Sequence, residues 1–335
     1  LNYNAGELLL NCIESIKKSA YKNLEVIVVD NISTDKSQEI CKEKYPDIKL
    51  IQNDENFGYC EGNNIGIRKA RGDFIMILNP DTIVEPNCIR ELIFAHEKLG
   101  EGLYQPKILS LNEKQVLQST GNMLHVFGFG YAKDKGKKDE EVDEEIKKIG
   151  YASGTCLFTS RNVLEKVGLL DSFLFLYHDD LDLGWRASQI GINSYYVPKS
   201  KIYHVESYSL KWSAKKFYWL ERNRKYCLLT HYSKNTYAKM YSSLCLVDLF
   251  VWFFYLSKGF LGAKIRAELD IRRNRKFIET KYQELEKKKT VPDEKLIQEF
   301  PDEIFVPINV SDNFMNESFN SILSKLSKKV KKKII

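Results

Sequence analysis

The sequence predicts an α/β fold, with a doubly wound, mostly parallel sheet, helices on both faces and a helical C-terminal appendage. Short apolar runs such as 24–29 and 74–78 alternate with amphipathic helical segments over the first hundred residues. Polar residues follow these runs, at the points where each strand would end. Strands that alternate with helices form parallel sheets covered on both faces.

Periodicity places the individual elements in order along the chain. Ser33 is expected to cap the helix after the first strand, Pro86 to open another helix, and Gly191 to end a third. Strands are expected at 24–29, 48–51, 74–78, 151–159 and 200–205, and further helices at 7–19, 61–70, 86–99, 163–167, 183–190 and 212–232.

Composition is that of a globular protein with room for one large domain and an appendage: 335 residues, 43% hydrophobic and 29% charged. The net charge of +6 is modest, and no nucleic-acid motif accompanies it. Seven cysteines occur without a Cys-x-x-Cys pair, so we expect buried thiols in a reducing compartment. The chain opens on Leu1 without a Met, and we expect a clipped N-terminus.

Changes in composition divide the chain into three regions. Residues 1–235 are expected to form the main domain, 236–300 a helical and partly apolar appendage, and 301–335 a weakly ordered, lysine-rich tail. Within the main domain, residues 131–148 are charged and poor in apolar side chains, which predicts an exposed, mobile loop.

The appendage contains an apolar, aromatic stretch. Its unbroken part, Leu249–Leu256, spans only eight residues, which is too short for a transmembrane helix. It fits a helix in the membrane interface, where Lys325 to Lys333 would add attraction to anionic lipid. It equally fits a helix packed on the main domain, and both interpretations stay open.

A candidate metal site follows the strand 74–78. Asn79 and Asp81, separated by a proline, lie where this strand would end. Ligands of open α/β sheets bind at the carboxyl ends of strands, and oxygen ligands suit a hard divalent cation that carries a diphosphate. His204 lies on a later strand and could complete such a site; carboxylate with histidine suits Mn²⁺ or Mg²⁺. A lone histidine on a partly apolar strand is more often structural.

An acidic cluster, Asp179, Asp180 and Asp182, follows a run of aromatic and apolar residues. Carboxyl groups packed among aromatic rings have raised pKa values, which suits a general base. Taken singly, an Asp-Asp pair is more often a solvated turn or a helix start.

Six ordered motifs within residues 1–235 precede or include the candidate site residues, ahead of the acidic cluster: Leu1–Asn4, Val28–Asp35, Asn56–Asn64, Leu78–Thr82, Ala152–Thr155 and Gly168–Asp171. Together they resemble family 2 glycosyltransferases of the GT-A fold, in particular the branch with rhamnosyl- and galactofuranosyltransferases.

The resemblance implies that Asp180 is the base, with Asp179 as its neighbour, that Asp81 and His204 are the metal ligands, and that Asp30 and Tyr3 contact the nucleotide. Asn79 stands where the family often has Asp, and Asp179 where it often has Glu.

Two further contacts are expected from the residues themselves. Asn63 and Asn64 lie at a Gly-rich helix entry, where backbone N–H groups favour phosphate or ribose oxygens, although such stretches are often simple caps. Arg222 and Arg224 are candidates for a phosphate contact, although two arginines on a helix are more often solvated.

The resemblance implies an inverting transfer from a nucleotide-diphosphate sugar to a glycan or polyprenyl-linked glycan, assisted by Mg²⁺ or Mn²⁺. It implies a cytoplasmic enzyme that could also associate peripherally with an anionic membrane surface. No nucleic-acid partner is expected. A non-catalytic sugar- or nucleotide-binding protein of the same fold is the alternative. A nucleotidyltransferase would need a Gly-rich basic loop where this chain has Tyr3-Asn4-Ala5-Gly6.

Overall fold

A computed structural model of the chain describes residues 1–205, 213–304 and 313–335, the side chains of 313–316 excepted. Its helices are α1 Glu7–Lys17, α2 Ser37–Lys44, α3 Gly58–Lys69, α4 Cys88–Leu99, α5 Arg161–Val167, α6 Asp179–Gln189, α7 Ala214–His231, α8 Lys234–Ser257, α9 Leu261–Arg273, α10 Arg275–Lys288, α11 Asp293–Glu299 and α12 Asn313–Ile334. Its strands are β1 Ile27–Asp30, β2 Lys49–Gln52, β3 Phe74–Leu78, β4 Thr82–Val84, β5 Gly102–Ser110, β6 Leu117–Ser119, β7 Asn122–Leu124, β8 Gly130–Ala132, β9 Lys147–Ile149, β10 Cys156–Ser160 and β11 Asn193–His204.

The chain forms two compact units. The first consists of Leu1–Asn122, Ala132–Gly184 and Ile192–Tyr208, and the second of Met123–Tyr131, Trp185–Gly191 and Ser209–Ile335. The first unit contains the two larger sheets and the residues nominated for catalysis, metal binding and nucleoside binding, while most of the β7–β8 pair lies in the second unit. The second unit is mainly helical.

The main sheet of the first unit is mixed. β1 and β2 pair in parallel, and a seven-stranded sheet has the order β3-β10-β5-β11-β4, with β6 beside β5 and β9 beside β11. Within the larger sheet β5 and β11 run parallel, while β10 is antiparallel to β3 and β5, and β4 is antiparallel to β11. The prediction of a mostly parallel sheet was wrong. β10 lies between β3 and β5 and runs antiparallel to both, and β4 pairs antiparallel with β11, because the tertiary fold and not the local pattern decides which strands meet.

The core of the first unit lies between this sheet and α4. Leu92 and Ala95 on α4 are fully buried and pack with Tyr104 on β5 and Phe158 on β10. Burying a large apolar side chain contributes about 1.5–3 kcal/mol, so these contacts hold the sheet edge at which the site is built. The predicted positions of β3 and of the α4 C-terminus are confirmed.

One predicted cap was wrong. α2 begins at Ser37, after Lys36 in the left-handed region at φ 62°. Ser33 instead accepts a hydrogen bond from the Asn4 N–H through its hydroxyl and donates its own N–H to Asp30. Three residues separate Ser33 from the helix, and its hydroxyl and N–H bond to Asn4 and Asp30 instead, so Ser33 does not cap α2.

Residues 131–148 form an ordered segment, contrary to the expected mobile loop. The segment contains part of β8, a 3₁₀ turn at Asp139–Glu141 and the start of β9, which pairs with β11. Lys107 on β5 is fully buried, and its ammonium group bonds to Asp139 and Glu144. The charges of this segment therefore satisfy a buried cation.

The second unit is organised around buried ion pairs. Lys264 on α9 is fully buried, and its Nζ lies 2.6 Å from Glu221, 2.6 Å from Asp248 and 2.8 Å from Glu268. Arg224 also pairs with Glu221, at 2.8 Å. These contacts tie α7 to α8 and α9, so α7 belongs with the appendage, and the boundary expected at 235 lies near 208.

Arg222 and Arg224 were wrong as candidates for a phosphate contact. Both are buried in the second unit, and Arg222 pairs with Asp270 at 3.0 Å. A guanidinium that is desolvated and already paired with a carboxylate has little to offer a diphosphate.

The C-terminal region is more ordered than expected. α12 covers most of the predicted tail, and Leu323, Val330 and Ile334 on it are buried. The lysines are interspersed with these apolar residues at helical spacing, which composition alone did not reveal.

The predicted apolar stretch is part of a longer helix. α8 has 24 residues, and among the described residues it is the helix whose length and apolar composition would suffice to cross a membrane. The expectation that this stretch is too short was wrong, because apolar residues before Leu249 extend the helix. A third of its most apolar window is buried within the protein.

Candidate active site

Asp81 and His204 meet because β4 and β11 pair. Their register places His204 opposite Thr82, so Asp81 lies one residue from the paired position. Nε2 of His204 lies 3.5 Å from Oδ1 of Asp81, and both side chains are largely buried. The sequence predicted this pair, and the structure brings its members together.

The orientation of the His204 ring is fixed by Gln118. The amide nitrogen of Gln118 donates to the His204 carbonyl oxygen at 2.9 Å, and its amide oxygen lies 2.7 Å from Nδ1. Because a carbonyl oxygen only accepts, the amide orientation is determined, and Nδ1 must carry the hydrogen. Nε2 therefore presents its lone pair toward Asp81.

This pair fits a divalent cation. No hydrogen bond reaches the buried Oδ1 of Asp81 from any described residue. Two ligand atoms that each lie about 2.1 Å from one ion are separated by roughly 3.0–3.5 Å. A carboxylate oxygen and an imidazole lone pair at 3.5 Å, with the second ring nitrogen held by an amide, match the usual surroundings of a histidine ligand.

Asn79 is held by its backbone at the end of β3. Its N–H donates to the Thr155 carbonyl at 3.0 Å, and its carbonyl accepts from the Thr82 hydroxyl at 2.7 Å. These bonds define the tight connection between β3 and β4. They place the Asn79 side chain two residues from Asp81, in the position that the sequence predicted for a weak additional ligand.

Asp179 and Asp180 open α6 beside Gly154. Oδ2 of Asp180 accepts from the Gly154 N–H at 3.0 Å, and its Oδ1 accepts from the Leu181 N–H at 2.8 Å. The hydroxyl of Tyr59 donates to the Gly154 carbonyl. A Cβ built on Gly154 would lie 3.2 Å from Oδ2 of Asp179 and 3.0 Å from the Tyr59 hydroxyl. Both contacts are tighter than a Cβ usually makes, so a side chain at position 154 would push Asp179 or Tyr59 away by a few tenths of an ångström.

The environment separates the two carboxyl groups chemically. Burial, followed by the charges of Asp180 and Asp182, raises the pKa of Asp179 well above its ordinary value. Burial also raises the pKa of Asp180, but the N–H groups of Gly154 and Leu181 oppose the rise. The carboxyl of Asp179 therefore holds a proton more strongly than the carboxyl of Asp180.

The loop before the acidic cluster is strained. Phe175, Tyr177 and His178 all have left-handed φ angles, between 61° and 68°. In this loop the Phe175 carbonyl accepts a hydrogen bond from the N–H of Tyr59, at the start of α3, at 2.6 Å. Gly58 has φ +76°, and a Cβ there would lie 2.5 Å from the Phe175 ring. Such strain in a loop persists only where surrounding contacts enforce it, and it is concentrated at functional sites.

Asp30 is buried at the end of β1. Its Oδ1 accepts from the Asn2 amide at 2.7 Å and its Oδ2 from the Ser33 N–H at 2.9 Å. The backbone of Asn2 pairs with β1, which leaves the next residue, Tyr3, half exposed. An immobilised carboxylate next to an accessible aromatic ring suits a nucleoside, and nucleotide contact by both residues stays a prediction.

Asn63 and Asn64 are placed differently from the expectation. α3 begins at Gly58, so both lie in its second turn, and the expected position at the helix entry was wrong. The Asn63 amide donates to the Tyr59 carbonyl at 2.8 Å. The Asn64 amide exchanges two hydrogen bonds with the backbone of Leu170, at 2.8 and 3.1 Å. Both side chains therefore have a structural role in the protein, and their contact with the nucleotide stays a prediction.

The dipeptide Gly154-Thr155 connects Asp180 to the segment that contains Asn79 and Asp81. Gly154 N–H binds Asp180, and the carbonyl of the next residue, Thr155, accepts from Asn79. The motif containing both was part of the resemblance, without a role for either residue. Gln118 and Tyr59 were missed, because a single Gln or Tyr carries no signal until the fold supplies its partner.

Comparison with known families gives a direct match. The first half of the chain, residues 1–168, matches the family described as Glycosyl transferase family 2. All the nominated residues up to Asp81 lie within this match, while Asp179, Asp180 and His204 follow it.

Two curated relatives cover a larger part of the chain. The chain is 30% identical over 200 residues to the low-salt glycan biosynthesis hexosyltransferase Agl10 of Haloferax volcanii, covering 58% of this chain and 61% of that protein. It is 25% identical over 231 residues to an N-acetylglucosaminyl-diphospho-decaprenol L-rhamnosyltransferase of Mycobacterium tuberculosis, covering 62% of this chain and 75% of that protein.

Two solved structures show the same fold. GalNAc-T7, in a crystal structure with UDP, GalNAc and Mn²⁺, superposes with a TM-score of 0.58 at 17% identity, over 71% of this chain and 48% of that chain. Residues 1–349 of Staphylococcus aureus TarS, in complex with UDP, superpose with a TM-score of 0.51 at 15% identity, over 99% of this chain and 88% of that chain. The GT-A architecture expected from the sequence is confirmed.

Proposed function

Because the chain belongs to glycosyltransferase family 2, we propose that it is an inverting glycosyltransferase that uses a nucleotide-diphosphate sugar. The acceptor is a hydroxyl of a glycan or lipid-linked glycan, in the assembly of cell-surface polysaccharide or protein-linked glycan. The observation that carries this proposal is the pair Asp81 and His204, 3.5 Å apart. Asp81 directly precedes β4, and Gly154, whose N–H holds Asp180, directly precedes β10 of the same sheet. The names of the Haloferax and Mycobacterium relatives support the reaction class.

Asp81 and His204 would hold a divalent cation, Mg²⁺ or Mn²⁺, with the side chain of Asn79 within the same turn. The bound ion supplies Lewis-acid stabilisation of the departing diphosphate. The contribution of the chain is to hold both ligand atoms in place: β4 fixes Asp81, and Gln118 fixes the His204 ring through Nδ1. Because Asn79 is neutral, this ligand set is less negative than it would be with a second carboxylate at position 79.

Asp180 takes the proton of the acceptor hydroxyl. Its two backbone hydrogen bonds fix the carboxylate orientation, and each oxygen keeps a further lone pair for the incoming O–H. Asp179, which retains its proton more strongly, keeps a second negative charge away from the reacting centre. Direct attack of the deprotonated acceptor on the anomeric carbon inverts the configuration, and no covalent nucleophile of the protein is required.

Asp30 and Tyr3 bind the nucleoside. The Asp30 carboxylate, already held by Asn2 and Ser33, accepts from base or ribose donors, and the half-exposed ring of Tyr3 offers a stacking surface. Asn64 holds α3 against the Leu170 backbone, and Asn63 bonds to the Tyr59 carbonyl within α3. Contact of these two residues with the nucleotide remains part of the prediction. The enzyme works in the cytoplasm, at the inner face of the plasma membrane, where a polyprenyl-linked acceptor would be found.

The test is a donor screen with the purified chain. UDP-, GDP- and dTDP-linked sugars are incubated with Mg²⁺ or Mn²⁺, and release of the nucleoside diphosphate is measured, with Asp180→Asn protein as the control. We expect release from one donor class that the control lacks. Donor binding by calorimetry without release from any donor would favour the non-catalytic binding protein instead.

A further inference from the structure

α8 leaves an apolar stripe exposed in the second unit. One side of the helix packs inward through the buried residues Val247, Val251 and Tyr255. On the other side Leu249, Phe253 and Leu256 follow one another at spacings of four and three, with exposed fractions of 64%, 61% and 58%. This spacing aligns them along one face of the helix.

The stripe continues beyond these three residues. Leu246 precedes them on α8, and Ile265 and Leu269 are exposed on α9. Of the fourteen large apolar side chains that the described chain exposes, seven lie between Tyr241 and Leu269. Single exposed apolar residues are ordinary, but six of them on two successive helices that pack together indicate a surface that meets another apolar surface. The α8–α9 face is defined here as Leu246, Leu249, Phe253, Leu256, Ile265 and Leu269.

The second unit that carries this face is strongly basic. It has 27 Lys and Arg against 14 Asp and Glu, a formal net charge of +13, whereas the first unit has 24 against 31, or −7. Four exposed cationic residues lie around the end of α9, two on each side of Asn274: Arg272, Arg273, Arg275 and Lys276. Acidic residues on α8 and α9 are turned to buried cations: Asp248 and Glu268 both bind Lys264.

The packing of α8 favours a position in the plane of a membrane surface over a transmembrane one. Its length and composition would allow it to cross, but a third of its most apolar window is covered by the protein itself. Asp248, in the middle of the helix, is held by Lys264 and Lys225 at 2.6 and 3.2 Å. A helix with one face on its own protein, one apolar face exposed and cations nearby has the properties of an interfacial helix.

We propose that the α8–α9 face docks on an anionic phospholipid bilayer. The apolar side chains enter the acyl boundary, and the exposed arginines and Lys276 contact lipid phosphates. This deepens the proposed function, because it names the surface that would bring the enzyme to a lipid-linked acceptor. Binding to vesicles needs neither donor nor metal, so a negative flotation result would leave the proposed sugar transfer intact, and a negative donor screen would leave the proposed docking intact.

The experiment is flotation of the purified chain with vesicles. One set contains phosphatidylglycerol and phosphatidylcholine, the other phosphatidylcholine alone, each at low and high salt. We expect the wild type to float with the anionic vesicles at low salt and to be released in part by high salt, because exposed charges are screened. The triple variant Leu249→Ser/Phe253→Ser/Leu256→Ser should lower partitioning at least ~tenfold.

The matched control is Phe94→Ser. Phe94 is 56% exposed on α4 of the first unit, outside the α8–α9 face, and its replacement should leave flotation unchanged. Wild-type protein that stays in the soluble fraction at low salt, or a triple variant that floats like the wild type, would overturn the proposal. A wild-type dimer that does not float and that the triple variant converts to a monomer in light scattering would assign the face to a second copy of the chain.

Discussion

Nε2 of His204 lies 3.5 Å from Oδ1 of Asp81, although the two residues are 123 positions apart in the chain (204 − 81 = 123). The antiparallel register of β11 on β4 brings them together, and Gln118 determines which nitrogen of the ring faces the carboxylate. A histidine that would otherwise be a plain strand residue thereby becomes one half of a ligand pair.

Metal binding should depend on Gln118 as well as on the ligands. Removing a partner that orients a histidine ligand lowers metal affinity by about 10–100-fold. We therefore expect Gln118→Leu to weaken Mn²⁺ binding by that range, measured by electron paramagnetic resonance of free Mn²⁺ in the presence of nucleoside diphosphate. Gln115→Leu, at an exposed glutamine nearby, is the control and should bind as the wild type does. Equal affinities of all three proteins would remove Gln118 from the site.

Sugar transfer should require a divalent ion. Exhaustive EDTA treatment should abolish transfer, and Mg²⁺ or Mn²⁺ should restore it. Asp81→Asn and His204→Ala should lose activity together with Mn²⁺ binding. Full activity after EDTA treatment would contradict the role given to this pair.

The two neighbouring aspartates should respond differently to the same substitution. Asp180→Asn should lower transfer by about a hundredfold or more and leave donor binding nearly intact, because the amide keeps the shape and loses the basicity. Asp179→Asn should retain more activity, since the Asp179 carboxyl already holds its proton more strongly. The reverse order would place the base one residue earlier.

Asp179→Asn should also stabilise the protein at neutral pH. The folded-state pKa of Asp179 is raised above the unfolded value of about 3.9, so the folded state binds the extra proton and loses stability as pH rises above that value. Asparagine avoids this loss. Urea denaturation from about pH 4 to 8 should show a gain over the wild type that grows with pH. A gain that is the same at every pH would point to packing instead.

Gly58 should be more sensitive than another glycine with the same backbone. Gly58 and Gly100 have φ angles of +76° and +84°, and a Cβ on Gly100 would meet nothing within 4 Å. Gly100→Ala should cost about 1–2 kcal/mol, from the backbone alone. Gly58→Ala should cost more and also lower transfer, because the new Cβ displaces Phe175 and the loop before Asp179. Equal losses in chemical denaturation would exclude the steric contribution.

Lys264 should matter far more to stability than an exposed lysine. Removing the Lys264 ammonium group takes away the ion pair that it forms with each of Glu221, Asp248 and Glu268. Breaking a buried ion pair by removing one partner lowers the free energy of unfolding by about 3–5 kcal/mol. We expect Lys264→Met to show that loss in thermal and urea unfolding. Lys234→Met removes a largely exposed pair with Glu279 and should cost under about 1 kcal/mol. Similar values for both variants would contradict a buried, essential cation.

Local patterns predicted the elements well and their assembly less well. The apolar run of β3 and the periodicity of α4 were read correctly, because burial on one face or both leaves its period in the sequence. The mixed sheet was missed, since the direction of a pairing depends on which strands meet. The ordered state of 131–148 was missed because its partner, Lys107, lies elsewhere in the chain.

The sequence by itself determined the family and the candidate residues of the site: Asp30, Asn79, Asp81, the acidic pair and His204. Motif order carries that information, and the roles of these residues stay predictions. Only the tertiary structure decided which nitrogen of His204 faces Asp81, which aspartate holds its proton more strongly, and which side of α8 stays exposed. Each of these depends on contacts between residues that are distant in the chain, and such contacts leave no local period to read.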